Sequence, residues 1–127
     1  MLWKNSGNFM TPLEQIAAQI LANNPLEVRS LVQDYLRHAR PLWLERAPTS
    51  DDQQIRAVTA AIAEMIAVRT AQKAPAWTSQ IGRLPAPVYL VEAATRSPRM
   101  RARIEQESPE PLRKRNVFAP SSYLEII

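Results

Sequence analysis

The chain has 127 residues and a mass of 14.4 kDa, the length of one domain with a thin core. Apolar residues make up 46% and charged residues 22%, the balance of a soluble globular chain rather than a disordered one. There is no cysteine, one histidine (His38) and two glycines (Gly7 and Gly82), which excludes disulfides, thiolate chemistry, two-histidine metal motifs and a phosphate-cradling glycine loop. No cofactor or metal site is expected, and most enzyme classes are excluded with them.

Sixteen basic residues against twelve acidic give +4, and only Lys4, Lys73 and Lys114 among the sixteen are lysine. Arginine forks onto carboxylates and phosphates, so the surface favours planar ion pairing. Residues 1–95 carry nine basic and eight acidic side chains; residues 96–115 carry seven and three. The excess charge is local.

Residues 1–10 read as a flexible tail, too short and polar for a secretory leader, with Met10 an alternative start. Residues 11–127 read as a single helical domain. It comprises a helical core (11–73), a proline-rich connection (74–98) and a basic segment (99–127). Thr11-Pro12-Leu13-Glu14 offers a hydroxyl cap, a proline at the first helical position and a returning glutamate. Leu13, Ile16, Ala17, Ile20 and Leu21 then share one face. Asn24-Pro25-Leu26-Glu27 repeats that start. Its helix aligns Val28, Leu31, Val32, Tyr35, Leu36 and Ala39 before Pro41 stops it. Leu42-Trp43-Leu44 is an apolar knot. Ser50-Asp51-Asp52-Gln53 opens the longest predicted helix, about 52 to 73, with a heavy stripe (Ile55, Val58, Ile62, Met65, Ile66) beside an alanine face, the signature of a central element.

From Lys73 to Pro98, four prolines break any long helix. Val88-Tyr89-Leu90-Val91 is β-like in composition, but a lone strand has no visible partner, so a short helix to Ala94 is expected instead. Leu84 to Val91 is the longest uncharged apolar stretch, far below the ~18 residues of a membrane helix. A reducing cytoplasm is the simplest location. Ser97-Pro98 caps a helix carrying Met100 and Ile104, Ser108-Pro109-Glu110-Pro111 opens a short turn, and Ser122-Tyr123-Leu124-Glu125 reads as a last capping box. The fold class is all-α, a bundle of three main helices followed by short ones.

Arg96, Arg99, Arg101, Arg103, Arg113, Lys114 and Arg115 form the one charge cluster. It reads either as a binding surface for phosphates or acidic protein, or as a solvated helix face braced by Arg101–Glu105 and Arg103–Glu107 at i, i+4. Trp77 is either a partner anchor or a plug between the long helix and its loop, and Trp43 reads the same way. His38 suits the negative end of its helix. Asp51 and Asp52 belong to a helix start, and the arginines around Glu105, Glu107 and Glu110 suit ion pairing rather than acid catalysis. As a helix-turn-helix, residues 13–40 are poor: the outer face of the second helix carries Glu27 and Asp34, which repel phosphate.

The later half carries Ala63, Ala67-Val68-Arg69, Ala74-Pro75-Ala76-Trp77-Thr78, Glu107-Ser108-Pro109, Leu112-Arg113-Lys114-Arg115-Asn116-Val117-Phe118 and Leu124. In these residues it resembles small helical antitoxins of bacterial two-gene toxin–antitoxin systems, described as helix-turn-helix regulators and paired with nucleotidyltransferase-like toxins. The likeness spans about residues 50–127. It implies a chain that binds and occludes a toxin enzyme. The ordered residues ahead of it are too few for a full DNA-binding domain, which argues against operator binding. The expected contact residues are Trp77, Arg99, Arg103, Arg113, Lys114 and Arg115, with Val117 and Phe118 filling an apolar pocket of the partner. The alternatives are a small basic DNA-binding regulator and a homodimer that covers its own apolar faces.

Overall fold

A computed structural model describes residues 10–38 and 41–125. Its elements are α1 (Pro12–Leu21), α2 (Pro25–Arg37), α3 (Gln53–Arg69), β1 (Val88–Tyr89), α4 (Ala93–Arg96), α5 (Pro98–Glu107), α6 (Glu110–Arg113) and β2 (Val117–Phe118), with 3₁₀ turns at Leu42–Leu44 and Ala76–Gln80. The class is all-α. No helix among the described residues is long and apolar enough to cross a membrane. Residues 1–9 of the expected tail, and Ala39, lie outside the described residues.

Helix α1 starts on the expected capping box: Thr11 Oγ1 accepts from the Glu14 amide at 3.2 Å, and Glu14 Oε1 accepts from the Thr11 amide at 3.0 Å. Glu14 does more than cap. It is 0% exposed, and it also accepts from Thr49 Oγ1 (3.3 Å) and the Ser50 amide (2.9 Å), pinning the loop before α3 onto α1. Burial alone would raise its carboxyl; the hydrogen bonds from Thr11, Thr49 and Ser50 outweigh that and hold it below the ordinary value. The second start is built differently from the first. Asn24 gives no side-chain cap, and its Nδ2 donates to Gln19 Oε1 at 2.8 Å.

Helix α3 is the axis of the molecule. Asp52 caps it, accepting from the amides of Gln54 and Ile55, and it ends at Arg69, short of the expected 73. Both its heavy and its alanine faces are buried, from Ala57 to Met65 and on to Ala67. Helix α1 packs along it, with α2 against α1, while α6 and the turn at 76–80 pack on α3 elsewhere. The alanines let these neighbours approach closely.

The stretch at 88–91 corrects the expected short helix. Val88–Tyr89 pairs in parallel with Val117–Phe118, in the register Val88 with Val117 and Tyr89 with Phe118. Val88 N–H donates to the Asn116 carbonyl at 3.0 Å and Leu90 N–H to the Phe118 carbonyl at 2.9 Å. The next residue on that side, Pro120, has no N–H to offer, so the ladder stops. The last expected capping box, at 122–125, is a run of turns rather than a helix.

Candidate partner-binding surface

The eight residues expected to meet a partner divide sharply. Arg115 is 1% exposed, and its guanidinium forks onto Glu64, Nη1 to Oε1 at 2.9 Å and Nη2 to Oε2 at 3.1 Å. Its remaining donors reach the carbonyls of Pro111 (2.8 Å), Thr78 (2.8 Å) and Ile81 (3.0 Å). Lys114 Nζ joins the same carboxylate at 2.9 Å. Burial would raise the Glu64 carboxyl, but the hydrogen bonds and charges of Arg115 and Lys114 lower it to about 2. Arg115 is thus the clamp that ties α3, the 76–80 turn and α6 together, and it is not available to a partner.

Arg113 is likewise used inside the molecule, donating to the Ser108 carbonyl at 2.9 Å and the Gln106 carbonyl at 3.4 Å at the end of α5. Val117 is fully buried in the main core. Phe118 joins Ala94 and Ile104 in a second, smaller cluster that Tyr89 and Val91 pack against. The pocket these two residues fill is the protein's own, because pairing β2 with β1 turns them inward. Asn116 reinforces the pairing. Held in the left-handed conformation (φ 67°), it sends Nδ2 to the Leu84 carbonyl at 3.2 Å. Ser108 Oγ accepts from the Ala119 amide at 2.8 Å and lies 2.9 Å from the Ile104 carbonyl. The run from Glu107 to Phe118, which carries much of the family resemblance, is therefore a clasp within the fold.

Trp77 sits half-buried against the main core and donates Nε1–H to the Glu45 carbonyl at 2.8 Å, so it is the plug rather than the anchor. Trp43 is the reverse case. It is 54% exposed, beside Leu44 at 67%, while Leu42 alone turns inward from that knot. His38 ends α2 as expected, with Nδ1 3.0 Å from the Asp34 carbonyl.

What remains outward is one face of α5. Arg99 and Arg103, four residues apart, align with Met100, and Arg96 is exposed at the end of α4. Arg103 holds Glu107 at 3.3 Å in an exposed pair, whereas Arg96 and Arg99 form no ion pair among the described residues. The expected Arg101–Glu105 brace is redirected: Arg101 Nε donates to the Ala94 carbonyl at 3.0 Å and its guanidinium lies 5.9 Å from the Tyr89 ring centroid, while Tyr89 OH donates to Glu105. That bond and burial push the Tyr89 hydroxyl up from its ordinary value. Among the described residues no group of three His, Cys, Asp or Glu side chains could hold a metal ion.

Comparisons with protein-family models, with curated proteins and with solved structures returned no match.

Proposed function

We propose that the protein acts by contact, binding a partner enzyme and occluding it in the manner of the antitoxins its sequence resembles, with the α4–α5 face as the charged part of the contact. One observation carries this reading: α5 buries Ile104 alone and leaves Arg99, Met100 and Arg103 exposed side by side on one strip of its surface. An arginine pair flanking a methionine supplies forked donors and an adaptable apolar contact together, the composition that suits an acidic protein surface. Arg113, Lys114, Arg115, Val117 and Phe118 play no part in this contact, since the fold uses them itself.

The test is co-expression with the product of the neighbouring open reading frame and affinity capture. The intact chain retains that product and suppresses its toxicity. The double variant Arg99→Glu, Arg103→Glu loses at least about tenfold in affinity while staying folded. Equal capture by the variant, or no capture by the intact chain, overturns the proposal. The same arginines also favour the alternative of a nucleic-acid binder. That reading requires retardation of duplex DNA at low salt that falls steeply as salt is raised, with a shallower slope in the double variant.

A further inference from the structure

Two strands make an unusually small sheet, and one of its edges is open. Val88 and Leu90 both donate to β2, so Tyr89 between them points its N–H and C=O to the opposite side. No described residue pairs with either group, nor with the N–H of Val91. A cavity of about 230 Å³ touches Val88, Tyr89, Leu90 and Val91 in succession, with Ile20 and Asn23 across from them. Alternate residues of a strand face opposite ways, so a space that meets Val88 and Tyr89 in succession, and then the bend at Leu90 and Val91, runs along the strand's edge. It adjoins a second cavity of about 480 Å³ that shares Ile20, Asn23, Leu90, Val91 and Glu92 with it, and that adds Glu125 and Arg29. Neither Glu92 nor Glu125 makes an ion pair among the described residues, and two carboxylates against one guanidinium leave this groove negative.

We propose that this groove receives an extended segment of a partner chain, which adds a third strand beside β1 and sets a basic side chain against Glu92 and Glu125. The unpaired main-chain groups of Tyr89 select another main chain in extended form, because a helix satisfies its own amides and carbonyls internally. The apolar walls, Ile20 and Leu90 among them, take the alternate side chains, and the carboxylates select their charge. The groove goes beyond the contact proposed above and is opposite to it in charge, so the arginine-face variant leaves it untouched and either proposal can fail alone.

The test uses the isotope-labelled full chain and three short probes: acetyl-Val-Lys-Val-Lys-Val-amide, its counterpart with Glu in place of Lys, and the basic peptide N-methylated at its central amide. The basic peptide shifts the amides of residues 88–92 and 23–29, and the acidic and N-methylated peptides bind at least about tenfold more weakly. Glu92→Lys, an exposed change, weakens the basic peptide comparably. No response to millimolar basic peptide, equal binding by the N-methylated form, or shifts confined to other residues overturns the proposal.

Discussion

Glu64 and Arg115 stand 51 residues apart, and the fork between them commits a guanidinium that is 1% exposed to a single carboxylate. Removing one partner of a buried pair strands the other, so Glu64→Gln lowers unfolding free energy by about 3–5 kcal/mol in urea denaturation at neutral pH. Replacing both by apolar residues does not restore stability here, since three carbonyls that Arg115 serves would be orphaned. The pair also sets an acid limit. A carboxyl held at about 2 against an ordinary 4.5 contributes its full share above the ordinary value and loses it as pH falls from there towards about 2. That share is about 3 kcal/mol. The unfolding midpoint of the wild type therefore drops through this acid window more steeply than that of Glu64→Gln. Ala71 offers the opposite lesson. After α3, the Gln72 amide bonds the Ala67 carbonyl and the Ala71 amide the Val68 carbonyl, a helix ending that puts Ala71 at φ 55°, where glycine is usual. Ala71→Gly, at an exposed position, raises stability by about 0.5–1 kcal/mol in thermal unfolding.

At the scale of elements, helices α4 and α5 divide from the rest. Helices α4 and α5 pack chiefly on each other, around a small cluster of Ala94, Ile104 and Phe118, with Tyr89 stacked on Phe118 at a centroid distance of 5.5 Å. Helix α3 is buried from Ala57 to Ala67. Amide exchange by mass spectrometry accordingly shows α5 opening well before α3. Ser108→Ala removes the acceptor of the buried Ala119 amide, costs about 1–3 kcal/mol, and speeds exchange in α5 and β2 first. Helix stripes and several caps were readable in the sequence because they are local: Thr11 with Glu14 and Ser97 cap as their spacing implies, and the helix start read at 50–53 is capped by Asp52, which the sequence placed in the first turn. The strand at 88 was hidden because its partner lies at 117, and a run of four β-formers carries no mark of what it will pair with.

Across the whole molecule, the apolar core was legible and the exposure of the expected contact residues was mostly not. A cluster of basic residues in sequence says nothing about which side chains find carboxylates elsewhere: Arg115 meets Glu64 only once α3 and α6 are docked, and the tertiary use of Glu14 by Thr49 and Ser50 is equally non-local. Trp43 and Trp77 looked alike because both follow proline-marked breaks, and only packing separates an exposed indole from one hydrogen-bonded to Glu45. Truncating each distinguishes them: Trp43→Ala keeps the thermal midpoint within a degree or two of wild type, and Trp77→Ala lowers it several-fold further.

The clamp has a bearing on how the protein comes into being. A chain cut short upstream of Lys114 holds every helix that caps well on its own, yet it leaves the Glu64 carboxylate at a half-formed interior without either cation that meets it in the whole fold. Synthesis therefore yields a finished core late, after the ribosome has released residues far downstream of the central helix, and incomplete products stay open to cellular proteases while complete ones close.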